Sequence, residues 1–220
     1  MPVHLHPRRH RRLSEEERAA WADLRAPIIS DSMNRARTMA AAITPVAPGL
    51  RLLGQALTVR TIAADITPLL YALEIAEPGD VLVVDAAQHV DNAVLGGHMN
   101  NEALKRGIAG IVIDGSVRDV EELRTSGMPV FSRGITPAGP HSGLIGDVNL
   151  SISCGGVTVD PGDIVIGDDD GVVVVPLDRA DDVARRCREH LDVEAEWAWR
   201  IAAGESFARI LDLPPAEDAP

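Results

Sequence analysis

The 220-residue chain is poor in most of the residues that specialised folds rely on. Its two cysteines, Cys154 and Cys187, stand 33 positions apart with no CxxC or Cys/His spacing around them. That excludes a disulfide framework or a zinc site of that kind and leaves two ordinary thiols. Six aromatic residues leave little for base stacking, and a formal net charge of -12 provides no overall basic footprint. No nucleic acid and no anionic membrane is therefore expected as main partner. No apolar run reaches the ~20 residues a bilayer demands. The basic start, from His4 to Arg12, leads into an acidic helix instead of an apolar signal core, so a cytoplasmic location is expected.

What is present suits one α/β domain of generous size, with a hydrophobic content of 45%. Residues 1–12 read as a loose basic tail, 13–213 as the domain and 214–220 as a frayed tail. Ser14 followed by three glutamates predicts a helix that Pro27 stops, and Ser30-Asp31-Ser32 a second helix cap. The apolar runs Val81–Val84 and Gly110–Ile113 predict strands buried on both faces, with a helix from His98 to Arg106 between them. Past a Gly/Pro-rich loop at 134–147, short β segments separated by Asp160-Pro161-Gly162 and Asp168-Asp169-Asp170 suggest a β-meander, the acidic run being a solvated turn. A terminal helix spans about 180–203.

Chemistry concentrates where the second buried strand emerges as Asp114-Gly115-Ser116-Val117-Arg118-Asp119. A strand's C-terminal end followed by a helix start is where open α/β sheets place ligands. Arg118 can grip a carboxylate with two parallel hydrogen bonds, and Asp119 can offer oxygen to a hard cation. The plainer reading makes Asp119 a helix cap and Arg118 half of a surface ion pair. Gly96-Gly97-His98-Met99 opens a helix whose backbone donors and positive end suit a carboxylate, or forms a simple turn.

Taken together, residues 78–85 (PGDVLVVD), Gly96-Gly97, 106–119 (RGIAGIVIDGSVRD) and 154–157 (CGGV) resemble the RraA-like, 4-hydroxy-4-methyl-2-oxoglutarate aldolase family. Residues 161–165 (PGDIV) and 168–176 (DDDGVVVVP) extend the likeness, which covers roughly 28–205 in order. The resemblance implies a swivelling β/β/α fold with N-terminal helices and a C-terminal helix, assembled as homotrimers or dimers of trimers with clefts between subunits. It implies a divalent-cation-dependent lyase, using Mg²⁺ or Mn²⁺, that cleaves 4-hydroxy-4-methyl-2-oxoglutarate or 4-carboxy-4-hydroxy-2-oxoadipate to give pyruvate and also decarboxylates oxaloacetate.

By position, Arg118 is similar to the family's substrate-gripping arginine and Asp119 to its metal ligand, while Gly96, Gly97, His98 and Met99 form the loop whose amides hold the pyruvoyl carboxylate. Lys105, the one lysine in the chain, lies in the helix leading to Gly107, which argues against a covalent-imine aldolase. Characterised aldolases of the family carry an acidic residue where this chain has Gly97. They also take an acid from a neighbouring subunit's C-terminal region, a place Glu194 or Glu196 can fill. The same family includes protein-binding regulators of a ribonuclease, and a metal-enolate enzyme acting on a different oxoacid is a further alternative. A methyltransferase is not supported, because no glycine-rich nucleotide loop follows a first strand.

Overall fold

Apolar runs of four to eight residues bounded by glycine and proline become the middle of a mixed sheet in the computed structural model, which describes residues 2–216. The last four positions of the expected 214–220 tail lie outside the described residues. The strands are β1 (Val3–Leu5), β2 (Thr44–Pro45), β3 (Leu52–Thr61), β4 (Asp80–Asp85), β5 (Ala93–Leu95), β6 (Gly110–Val117), β7 (Val130–Ile135), β8 (Gly146–Val148), β9 (Ile152–Cys154), β10 (Val157–Val159), β11 (Ile164–Asp168) and β12 (Gly171–Val175). The helices are α1 (Glu15–Ala19), α2 (Ala26–Ser32), α3 (Thr67–Ile75), α4 (Gly97–Lys105), α5 (Val120–Thr125), α6 (Ala180–Ala202) and α7 (Phe207–Ile210).

The main sheet runs β1-β8-β3-β4-β6-β7-β2, with β3, β4, β6 and β7 parallel. The long β3 also takes the β11–β12 hairpin antiparallel along its first half, and β5 pairs with the end of β6. On one face, Leu57, Leu82, Val84, Ile111 and Ile113 pack under α3 and α4. On the other, Val81, Val83, Val112 and Phe131 pack under the β9–β10 hairpin. A third cluster joins α2 and the first half of α6 to Ile164, Ile166, Val173 and Val175. Each fully buried aliphatic side chain contributes roughly 2 kcal/mol, so these layers hold the strand ends in register. The result is the expected mixed α/β domain with several N-terminal helices and a long C-terminal one.

Several expectations are corrected. Pro27 does not stop the first helix: it sits in the first turn of α2, where a missing N–H leaves nothing unsatisfied, and Ser30-Asp31-Ser32 falls at that helix's end. The second half is not a continuous meander, since β9–β10 and β11–β12 are separate hairpins, the latter joined to β3. Asp168 is buried instead of solvated, accepting the Ala26 N–H at 2.9 Å and so holding the start of α2. The basic start is not a loose tail. Its β1 pairs in parallel with β8, and Arg8 and Arg12 both bind the buried Asp80 at the foot of β4. Burial works against the Asp80 charge, but Arg8, the Glu77 N–H and Arg12 hold its carboxyl below the usual range. No helix among the described residues is long and apolar enough to cross a membrane.

Candidate functional site

The site begins with an irregularity in pairing. β5 runs beside β6 with a register shift between Ala93 and Leu95, and the Arg118 N–H donates to the Leu95 carbonyl at 3.0 Å. This lays the chain leaving β6 across the chain entering α4, so Arg118 and Asp119 meet Gly96 and Gly97 although 22 positions separate Gly97 from Asp119. Asp119 then turns into the left-handed region at φ 56, which aspartate tolerates better than most residues, and α5 starts behind it.

That turn decides where the carboxylate goes. Asp119 makes no side-chain cap on α5; its Oδ2 accepts the Gly97 N–H at 3.0 Å, at the positive end of α4. Arg118 Nε lies 3.6 Å from the same oxygen, and both side chains remain partly open to solvent. The glycines are there for room. A Cβ at Gly96 would crowd Asp119 Oδ2 and Arg118, and one at Gly97 would overlap the Glu122 carboxylate.

Glu122 is the residue that sequence reasoning missed. It lies on the first turn of α5, its Oε1 accepts Asn101 Nδ2 at 2.7 Å, and it fills the space a side chain at position 97 would take. The signal was its spacing: three residues after Asp119 places it one helical turn along. Two carboxylates thus lie against Gly97.

Of the remaining expected residues, His98 is exposed and Met99 half-buried in the first turn of α4. With the Gly97 amide engaged by Asp119, the first-turn N–H groups of His98 and Met99 still have no intrahelical acceptor, as at any helix start. Glu194 and Glu196 lie on the exposed half of α6, facing His190 at 3.6 Å and Arg200 at 3.9 Å. The structure does not bring them to Arg118 within one chain. Among the described residues no three His, Cys, Asp or Glu side chains gather into a metal cluster. Asp119 and Glu122 both lie against Gly97, and carboxylate oxygens are donors that suit Mg²⁺ or Mn²⁺ better than zinc.

Beside the pair lies a cavity of about 190 Å³ walled by Ile66 and Leu70 of α3, Val94 of β5, Met99 and Pro140, with Arg118 and Asp119 at its edge. Across the sheet, Asp114 forms a second, closed pair with Arg133 at 2.5 Å and accepts the Gly155 N–H at 2.7 Å. Burial pushes the Asp85 carboxyl next to it above its usual range, and the Asp114 charge adds to the effect.

Comparison with known proteins agrees with this architecture. Residues 26–174 match the family model described as RraA-like: Aldolase/RraA. A Halalkalibacterium halodurans protein named "Putative 4-hydroxy-4-methyl-2-oxoglutarate aldolase" is 36% identical over 161 residues, covering 73% of this chain and 77% of its own. The solved structure of Streptomyces coelicolor RraAS2, described as an unusual member of the RNase ES inhibitor RraA protein family, superposes with a TM-score of 0.76 at 28% identity, over 86% of this chain and 100% of that one. That of the RNA-processing inhibitor RraA from Thermus thermophilis gives 0.65 at 29% identity, over 70% and 93%. On the extent of the family match, and with the identity and coverage of its relatives, the chain belongs to the RraA-like family.

Proposed function

We propose that the chain is a divalent-cation-dependent carbon–carbon lyase that cleaves 4-hydroxy-2-oxoacids to pyruvate, with 4-hydroxy-4-methyl-2-oxoglutarate and 4-carboxy-4-hydroxy-2-oxoadipate as candidate substrates. One observation carries the reading: Arg118 and Asp119 meet the Gly96-Gly97 turn at the edge of a small cavity, with the Glu122 carboxylate packed against Gly97. The name of the Halalkalibacterium relative supports it.

In this reading the pyruvoyl carboxylate binds the N–H groups of His98 and Met99 at the positive end of α4. Gly97 adds no side chain there, and its own amide keeps Asp119 turned inward. Arg118 lies against the 2-oxo oxygen, where negative charge develops as the C3–C4 bond breaks. The C4 hydroxyl loses its proton, the electron pair passes to the 2-oxo oxygen, and protonation at C3 completes pyruvate. A divalent cation held by Asp119 and Glu122 would supply Lewis-acid stabilisation of that charge, an effect of several kcal/mol. Decarboxylation of oxaloacetate passes through the same enolate.

Assembly as trimers or dimers of trimers belongs to the same reading. The second half of α6 leaves the domain, and Trp199, Ile201 and Phe207 are exposed there and on α7, an apolar surface suited to another copy. A non-catalytic regulator of a ribonuclease is the second reading, favoured by the likeness to the Thermus inhibitor.

The test is pyruvate release from both candidate substrates and from oxaloacetate with Mg²⁺ or Mn²⁺, with chelator controls and Arg118→Ala and Asp119→Ala variants. Cation-dependent release, lowered about a hundredfold or more in each variant, is expected. Silence of folded wild-type protein on all three substrates would favour the regulator.

A further inference from the structure

Arg118 reaches the edge of the cavity on a long side chain that is only partly covered, and its ionic neighbour Asp119 stands 3.6 Å from Nε. An arginine this open loses its aim to rotamer freedom unless a second contact fixes the guanidinium. The segment after β7 supplies that contact. A Cβ on Gly139 would come within 2.8 Å of Arg118 Nη1, so the backbone there lies directly against the guanidinium. The next residue, Pro140, is a wall of the cavity.

Residues 136–139 have no helix or strand of their own, and what holds them is the chain entering β5 and the end of β6. The Thr136 N–H donates to the Val117 carbonyl at 3.1 Å, and the Ala93 N–H to the Ala138 carbonyl at 2.9 Å. Nearest to Arg118 the link is a side chain: Asn92 Nδ2 donates to the Gly139 carbonyl at 2.7 Å, across 47 positions of sequence. Asn92 Oδ1 lies 3.0 Å from His89 Nε2. Because Nδ2 already faces a carbonyl, Oδ1 is the acceptor and the His89 Nε2–H donates. His89 therefore orients the Asn92 amide, Asn92 holds Gly139, and Gly139 backs Arg118.

We infer that Asn92 is a positioning residue for Arg118, acting through the Gly139 backbone with His89 keeping its amide in register. What Arg118 does rests on the lyase reading above, but these contacts lie within one chain and hold whatever a neighbouring copy adds to the cleft. Two substitutions separate positioning from mere support. Asn92→Asp keeps the size of the side chain and the His89 link, yet sets an oxygen against the Gly139 carbonyl where a donor stood. Gly139→Ala needs no left-handed backbone, and its methyl would displace the end of a flexible side chain instead of the core. In both, the guanidinium loses its place beside the 2-oxo oxygen, while the α4 amides that hold the carboxylate are untouched. The loss should fall on kcat and not on KM.

The test combines pyruvate release with Mg²⁺ or Mn²⁺, thermal melts, and the NMR signal of the Arg118 Nε–H group, assigned through its absence from Arg118→Ala. Both variants should melt near wild type and lower kcat about tenfold, with KM changed by less than about twofold. Neither should lower the residual rate of Arg118→Ala, which has no guanidinium left to position. The Arg118 signal should be more rigid than that of the exposed Arg35 in wild type and approach it in Asn92→Asp. If Asn92→Asp does not fold, Gly139→Ala carries the kinetic test alone. Unchanged kcat, an equal further loss on the Arg118→Ala background, or an Arg118 signal as rigid in Asn92→Asp as in wild type overturns the inference and leaves the lyase reading intact. If folded wild type releases no pyruvate from any of the three substrates, the lyase reading fails, and the NMR comparison decides whether Asn92 positions Arg118.

Discussion

Arg133–Asp114 and Arg118–Asp119 are two arginine–aspartate pairs at the same end of the sheet, their aspartates five residues apart on one segment, yet they differ in closure. The first meets at 2.5 Å with side chains 18% and 2% exposed, and the second Asp114 oxygen is taken by the Gly155 N–H. The second stands at 3.6 Å with side chains 42% and 45% exposed. A carboxylate with both oxygens engaged and water excluded ties elements together; here it pins the β9–β10 turn to β6. A carboxylate with one oxygen held and the other open is oriented but still has a lone pair to give. The contrast lies in closure and burial, since residue type is the same in both pairs.

The largest effect that sharpens this contrast is on stability. Asp114→Asn removes the charge from a buried pair and leaves Arg133 uncompensated, so a loss of about 3 kcal/mol is expected in urea unfolding. Asp119→Asn should change the same midpoint by less than about 1 kcal/mol while abolishing pyruvate release. Equal destabilisation by both variants would break the comparison. An intermediate effect is expected at the glycine between the carboxylates. Gly97→Asp forces a side chain into the Glu122 carboxylate, costing roughly 2 kcal/mol, and thermal melts should show Glu122→Ala restoring most of it. Retention of the full loss in the double variant would mean the two positions do not share that space.

The smallest effect concerns Asp85, whose carboxyl is raised by burial and by Asp114. A carboxyl raised on folding favours the folded state below its unfolded value, and that contribution is lost as pH climbs through the raised value. Wild type should therefore lose a little stability as pH rises just above the usual carboxylate range. Asp85→Asn should flatten that slope and raise stability slightly at neutral pH. Melting curves taken across mildly acidic pH would show a slope unchanged by the substitution if the assignment is wrong.

How much of this was legible beforehand depended on how local the cause was. The apolar runs at β4 and β6 identify buried parallel strands because their burial is written in every residue. The joining of Arg118 and Asp119 to the Gly96 turn was implied by the family resemblance of the two segments, not by their spacing. The three-residue β1, β5 and β8 were not legible, since such strands exist only through partners far along the chain. Pro27 was ambiguous, because proline ends one helix and opens another equally well. Glu122 was not singled out, and only the empty side chain at Gly97 gives it a place. Asp168 looked like a turn acid, yet its partner Ala26 lies 142 positions away, and the two arginines that bind the buried Asp80 lie 72 and 68 positions from it.

The N-terminal arm carries a consequence for the order of synthesis. It precedes the 26–174 span of the family match and is made before it, yet His6 bonds Asp147, which follows 141 residues later. At about 5–20 residues per second, β1 waits on the order of ten seconds for its partner strand. During that interval Arg8 and Arg12 can find Asp80, already made, and hold the arm near the sheet's foot until β8 emerges. A segment made before the sheet is thus among the last to dock, and its two arginines act as a mooring for a strand whose berth has yet to be built.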